Sequence, residues 1–541
     1  MFFITGMMGP YMGPMAINVP LTVSFSTCCA LTFVPWLAYN LLKKQAGTVE
    51  RTKQEETPYP LVKKAYSLLM SPFFKAGNAL LLLAAVALLF LVSTALMLKI
   101  PLKMLPFDNK NEMQIVLDMA EGTTLEHTFQ VASEIGNTVS KFNEVKDYQI
   151  YAGTASPIDF NGLVRHYYIR RMPHQAEIRI NLADKSVRKQ KSHSFALSIR
   201  DELTRIAERR NAIVSIVEVP PGPPVLSTLT IEVRGDESRK YSELIDGAEK
   251  LKGILNETDN KNIAQIDSYA EATHERLAFV VDHEKAALHG LSISEISNYI
   301  QNALGYSVPT TSLRIGEERN PVNIAIKLPF KSRTSPEEIS RLWLRSASNP
   351  DKLVQLSELG SFVKQIEEQP IYHKNLERVV YVTAETVGRP PGELIVQILW
   401  KFWKNNPMNF LKAAISGQWR HEIFPGISAE WNGEGEWEIT TRVFRDLGIA
   451  FVAALVGIFI LLVAQTRKFL MPLIIMVAIP LTVIGIAPGF FFLNYFFGKE
   501  SGGYADPVFF TATGMIGMIA LGGIVIRNSI VLIEFIEEAL K

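Results

Sequence analysis

Arg527 is the residue whose position most needs a chemical reason. It opens the triplet Arg527, Asn528, Ser529 inside LGGIVIRNSIVLIEF, residues 521–535, which is otherwise apolar until Glu534. Even the lower estimates put a charge at the centre of a bilayer at about 2.5–3.5 kcal/mol. Such a cation needs a counter-charge or a wet cavity. Glu534 lies on the same helical face, but about 10 Å along the axis and nearer the helix end. The alternative is a side chain that snorkels to the headgroups, a reach of about 13 Å. Two other groups of residues bear on chemistry. Cys28 and Cys29 are adjacent in an apolar run. They offer neither a disulfide framework nor zinc spacing, and read as small packing residues. Met7, Met8, Met12 and Met15 carry thioethers of the kind that bind copper(I) or silver(I). Methionine is also a common apolar filler, so no metal site is assigned.

The element that must carry Arg527 is a membrane helix. The 541-residue chain is 48% hydrophobic with a formal net charge of +1, which gives no hint of nucleic-acid binding. Its apolar residues gather near the two ends, around a centre of ordinary soluble composition. A bilayer crossing needs about 20 apolar residues. Residues 16–42, 77–98, 446–465, 469–497 and 507–536 qualify. Apart from helix ends, Arg527 is the one charged residue inside them. The opening MFFITGMMGPYMGPM reads as the tail of a further helix and a Gly/Pro turn, so the chain is expected to begin mid-architecture. Residues 1–42 thus hold the end of one transmembrane helix and a full one. Residues 43–76 form a connection, and a second full helix fills 77–100. Asp506 and Pro507 predict the start of the last span as N-cap and first helical residue. Pro472, Pro480 and Pro488 predict a bend in the fourth.

Orientation follows from basic residues. Lys43, Lys44, Arg51, Lys53, Lys63, Lys64 and Lys75 follow the first run, and Arg467 and Lys468 fill the turn between the third and fourth. The positive-inside tendency puts both connections in the cytoplasm and the central residues outside. Those residues alternate strand and helix: NEMQIVLDMA, TLEHTFQVASEIGNTVSKF, VKDYQIYAG, AEIRINL, SHSFALSIRDELTRIAE and AIVSIVEV give a βαββαβ unit over 101–222. After the stiff PPGPP the pattern restarts over 223–274 and 371–440. A separate α+β insert, 275–370, lies between its second and third strands.

Three segments then resemble one family: VDHEKAALHGLSISEISNYI, LPFDNKNEMQIVLDMAEGTTLEHTFQ and GMIGMIALGGIVIRNSIVLIEFIEEAL. They are similar, in order along the whole chain, to resistance–nodulation–division (RND) efflux permeases of the AcrB-like type. The resemblance implies transmembrane α-helices flanking a periplasmic domain of two ferredoxin-like porter subdomains with an inserted docking subdomain. It implies a multi-pass bacterial inner-membrane transporter, not an enzyme, with no cofactor. It further implies a homotrimer, in contact with lipid bilayer, a periplasmic adaptor and an outer-membrane channel. The family's paired aspartates lie on its fourth helix. This chain matches from the end of the fifth through the tenth, so alone it is not expected to pump.

The same resemblance gives Arg527 a role. It falls where AcrB-like pumps carry a lysine that pairs with those aspartates. Arginine stays protonated, with a pKa above about 12, so it would report the carboxylates' charge state without carrying a proton. Asn528 joins that cluster or serves as helix–helix glue. Phe160, with Tyr167 and Tyr168, falls in the family's mobile substrate loop. The competing reading is a surface loop whose aromatics pack inward. SLRIGEERNPVNIAIKLP, residues 312–329, resembles a docking hairpin. Function is therefore expected to be proton-driven export of drugs or other amphiphiles. The alternatives are heavy-metal (copper or silver) export and a non-transporting assembly protein or truncated remnant. The family's metal exporters carry a different tenth-helix pattern, without this basic residue.

Overall fold

The computed structural model describes residues 8–42, 64, 66–68, 71–74, 76–220, 222–305, 311–317, 319, 321–346, 350–404 and 406–540. Most of the expected connection 43–76, and Met7, lie outside them. Five helical segments are long and apolar enough to cross a membrane. Helices α1 (Met8–Leu42) and α2 (Ala76–Met97) precede the soluble part. α3 (Leu125–Val139), α4 (Phe160–Val164), α5 (Ser192–Arg209) and α6 (Tyr241–Thr258) follow.

The Gly/Pro turn expected before Pro14 is absent among the described residues. α1 runs unbroken over 35 residues with Pro14, Pro20 and Pro35 inside it. Each proline removes one backbone hydrogen bond, and the remaining ladder keeps the helix continuous. Thr22, Thr27 and Thr32 each return a hydroxyl to the carbonyl four residues back.

The first soluble sheet contains β1 (Glu112–Met119), β2 (Val145–Ala152), β3 (Gln175–Leu182) and β4 (Ala212–Glu218), in the order β2-β3-β1-β4 and antiparallel throughout. Strict alternation decides its faces. Ile115, Leu117, Ile178 and Ile180 point to α3 and α5, meeting Val131, Ile135, Phe195 and Ile199 in one core. Gln114, Asp118, Glu177 and Arg179 therefore occupy the opposite face.

The second sheet contains β5 (Leu229–Gly235) and β6 (Ile263–Ser268) before the insert. After it come β13 (His373–Lys374), β14 (Glu377–Thr386), β15 (Arg420–Phe424) and β16 (Ile427–Glu430). Its path is β13-β14-β5-β16-β15, with β6 also on β14. α6, α11 (Pro391–Trp403) and α12 (Pro407–Ser416) accompany it. Neither α12 nor β15 was anticipated from periodicity.

The insert is a compact unit of its own, Glu271–Pro370. Its elements are β7 (Glu275–Val281), α7 (His283–Leu288), α8 (Ile293–Leu304), β8 (Thr311–Leu313), β9 (Val322–Ile324), α9 (Pro336–Ser340), β10 (Trp343–Arg345), β11 (Leu353–Gln355), α10 (Leu356–Leu359) and β12 (Gly360–Ile366). Ser292 and Glu295 cap α8 reciprocally. β8 pairs with β9 at the expected hairpin.

Two span boundaries differ from expectation, and the fourth span breaks beside one of the prolines expected to bend it. α13 (Glu436–Thr466) starts ten residues before Asp446, because Ile439, Val443 and Leu447 bury one face. The fourth span breaks at Thr482 into α14 (Leu470–Leu481) and α15 (Val483–Phe497), two residues after Pro480. The last helix, α16 (Ala512–Leu540), starts five residues after Pro507. Asp506 instead ends a hairpin, β17 (Lys499–Ser501) and β18 (Tyr504–Asp506), and accepts from Ser194 Oγ at 3.0 Å. Residues 507–511 are held extended by pairing with 101–104: Phe510 N donates to Pro101 O at 2.8 Å, Lys103 N to Phe510 O at 3.1 Å and Ala512 N to Met104 O at 3.0 Å. Those bonds outweigh the local capping signal.

The hairpin docks on α5 at a point that admits no side chain. Gly502 has φ +60, and a Cβ there would lie 2.3 Å from Leu197 O. Gly502→Ala is expected to cost about 1–3 kcal/mol through strain and overpacking. Hydrogen exchange at residues 499–506 would quicken while the β1 and β3 amides stayed protected.

Candidate functional site

α16 is positioned by one packed stripe. Ile526 is buried with Leu462, Ile475 and Ile479, and Ile530 and Ile533 pack alongside. Gly522 faces Ile479 and Phe451. Arg527 and Asn528 fall on the face that α13 and α14 leave uncovered, and both are exposed. Neither has a hydrogen bond or ion pair among the described residues. Glu534 does not serve Arg527; its Oε1 accepts from Gln465 Nε2 at 3.4 Å. The structure thus keeps the two predicted residues adjacent and supplies no counter-charge from α13 or α14.

The aromatic loop is split by its surroundings. Asp159 caps α4, accepting from Gly162 N at 2.6 Å, and its other oxygen pairs with Arg179 Nη1 at 2.6 Å. Phe160 begins α4 and stands 59% exposed. Tyr168 lines an open groove of about 420 Å³ with Tyr151, Ser156, Ile158 and Arg171. Tyr167 is half-buried and turns the other way, its Cβ beside Gly162. The three predicted side chains share a loop but do not converge.

Tyr167 instead joins a polar junction between the two sheets. Arg165 Nη1 reaches Glu385 on β14 at 3.4 Å. Arg170 pairs with Asp118 at 2.8 Å and lies 3.6 Å from Glu177. Burial works against both guanidinium charges. Tyr167 and Glu385 nonetheless hold Arg165 above its ordinary range, and Asp118 does the same for Arg170. Glu177 is sealed by Gln114 Nε2 at 2.9 Å and Ser156 N at 3.2 Å. Burial, then the like charge of Asp118, pushes Asp267 on β6 up to about 6. Burial also raises Tyr167 and Tyr269. A second cleft of about 630 Å³, lined by Arg200, Asp201, Lys252, Ile263 and Tyr504, lies alongside.

Sequence reasoning missed this junction. Arg165 and Glu385 are 220 residues apart. The usable signal was alternation: Gln114 and Asp118 on β1, and Glu177 and Arg179 on β3, are polar residues on one face of strands whose other face is core.

The model of the AcrB/AcrD/AcrF family matches residues 1–541. The chain belongs to that family. As an RND permease it is 23% identical over 546 residues to the swarming motility protein SwrC of Bacillus subtilis, covering 98% of this chain and 45% of that one. It is 23% identical over 552 residues to the cobalt-zinc-cadmium resistance protein CzcA of Cupriavidus metallidurans, at 99% and 46% coverage. It is 20% identical over 551 residues to the multidrug export protein AcrF of Escherichia coli, at 100% and 48%. The crystal structure of a heavy metal efflux pump superposes with a TM-score of 0.63 at 18% identity, covering 87% of this chain and 45% of that one. That likeness is one of fold. The RND chain spans about half the length of these relatives.

The junction carries a pH signature. Asp267 has a folded pKa near 6 against an ordinary 3.8. Its contribution to stability is whole below pH 3.8 and is lost as pH rises through 6, because only the folded state keeps the proton across that window. Asp267→Asn should therefore stabilise the fold above pH 6, on the order of 2 kcal/mol, and flatten the melting temperature between pH 4 and 7. Thermal melts across that range would measure it.

Proposed function

We propose that this chain is part of a proton-driven exporter of amphiphilic organic compounds in the bacterial inner membrane. In this reading Arg527 senses the charge state of carboxylates supplied by residues outside this sequence. The observation that carries it is a guanidinium within an apolar helix, on a face left uncovered by α13 and α14, in an RND permease. While the carboxylates are ionised, Arg527 binds them. When they take up a proton, the attraction lapses and α16 is free to shift. Arginine keeps its own proton throughout.

The remaining layout fits the same proposal. Arg467 and Lys468 mark the cytoplasmic turn between α13 and α14. Residues 101–222 act as one porter subdomain, 223–274 with 371–440 as a second, and 275–370 as the docking subdomain. The working assembly is a homotrimer engaged with an adaptor and an outer-membrane channel. Phe160 and Tyr168 offer apolar contact to substrate, and Tyr167 steadies the loop against the charged junction.

Heavy-metal export is a second reading with an observation of its own. Met8 and Met12 are buried together with Met104, and Met515 packs against them. Relatives such as CzcA bear cation-efflux names. Packing accounts for the cluster equally well, since Ile439, Val443 and Leu447 complete it.

In the intact transporter, Arg527→Ala should lower proton-coupled export of a fluorescent amphiphile at least tenfold. Arg527→Lys should retain a measurable part. Efflux from energised inverted vesicles reads the outcome, and undiminished export by Arg527→Ala would reject the role. A copper or silver sensitivity appearing in Met8→Leu with Met12→Leu, with amphiphile export intact, would favour the metal reading.

A further inference from the structure

The second sheet carries the elaboration that strand counting did not anticipate, α12 and its return through β15. α12 has two apolar faces. Ala413 is buried, and the Phe410 ring meets Trp400, Trp403 and Trp419 with centroids 6.0, 6.3 and 5.5 Å away. That face belongs to the core. On the other face Met408 and Leu411, three residues apart, are 55% and 52% exposed, with exposed Lys412 beside them. Trp400 is half exposed, and Lys404 at the end of α11 is exposed. A helix facing only water places polar residues at such positions.

The end of α12 fixes its level in the molecule. The helix closes at Gly417, whose φ is +72 and whose carbonyl accepts from Asn432 Nδ2 at 3.1 Å. A Cβ at Gly417 would lie 3.3 Å from Arg445 Nη1. Arg445 immediately precedes the apolar run 446–465 of α13. α12 therefore terminates where α13 would enter a bilayer. The hairpin that ends there carries an apolar pair, a tryptophan and flanking lysines, the composition of an interfacial helix.

We propose that the α11–α12 hairpin is a lipid-binding element. It lays Met408 and Leu411 into the outer headgroup layer and sets Lys404 and Lys412 against the phosphates of anionic phospholipid. This rests on the membrane reading of α13 made under Proposed function. Lipid is the occupant favoured because the exposed apolar pair is continuous with the entry point of a span and its flanking charges are basic. The contact would anchor the second sheet to the bilayer independently of α13.

The test uses the full chain with Cys28→Ser and Cys29→Ser, reconstituted in nanodiscs of phosphatidylethanolamine and phosphatidylglycerol. A fluorophore on Leu411→Cys is exposed to lipid bearing a nitroxide near its carbonyl, and separately to aqueous iodide. The proposal expects at least twofold quenching by the nitroxide lipid and weak quenching by iodide. Adding Lys404→Glu with Lys412→Glu should at least halve the lipid quenching. Free quenching by iodide, or quenching by neither agent as a covering protein surface would give, overturns it. Ile460→Cys on α13 and Val187→Cys in the soluble part are the lipid and water controls. If the Ile460→Cys label escapes the nitroxide lipid, the membrane reading itself is wrong. If that label is quenched and Leu411→Cys is not, the hairpin proposal alone fails.

Discussion

A guanidinium placed in hydrocarbon needs a counter-charge or water, and the proposed membrane mechanism depends on that constraint. α16 is nearly all apolar, and its packed stripe runs through Gly522, Ile526, Ile530 and Ile533. Arg527 sits one residue off that stripe, exposed among the described residues. Glu534, the nearest acid along the helix, is taken by Gln465. In the proposed membrane setting such a charge would cost about 2.5–3.5 kcal/mol or more at mid-membrane. In the proposed mechanism a mobile counter-charge would turn that cost into a two-state element, the helix gaining or losing a strong contact with each protonation.

The route from α16 to the soluble part is short and hydrogen-bonded. The extended residues 507–511 pair with 101–104, and Asn494 closes the strap from α15 by bonding both the amide and the carbonyl of Val508. Lys103 in the paired segment is buried, 3.5 Å from Glu436 at the head of α13 and over the Phe107 ring at 3.5 Å. Phe107 in turn stacks on His193 of α5. Tyr504 reaches Asp201 on the same helix at 2.8 Å. In the proposed mechanism these contacts would carry a shift of α16 to α5, and through α5 to the first sheet. The salt-bridged junction of Arg165, Arg170, Asp118 and Glu385 then joins that sheet to the second. On the second sheet, burial works against the Lys374 charge, yet Glu232 and Glu434 hold it above its ordinary range.

Much of this was legible in the sequence, and the exceptions are instructive. Unbroken apolar runs located the five helices long and apolar enough to cross a membrane, and period-two alternation located β1, β3 and β5. Helix starts were less secure. Asp506 and Pro507 form a sound local capping pair, but the backbone bonds to 101–104 are nonlocal and override it. The upper turns of α13 read as polar because Glu436, Glu438 and Arg442 alternate with the buried Ile439 and Val443. α12 was hidden because its apolar residues point two ways. The charged junction could not be read from spacing, since its members come from strands and a loop far apart in the chain. Arg527 was legible as an anomaly; what it pairs with was not, because no described residue supplies the partner.

The account stands or falls on where that guanidinium rests in the assembled transporter. A structure of the intact assembly in a lipid nanodisc, resolved well enough to place the Arg527 side chain, is the direct measurement. The account predicts a carboxylate from outside this sequence within about 4 Å of the guanidinium in at least one protomer state. A guanidinium lying among lipid headgroups in every protomer, with no acidic neighbour, would contradict it.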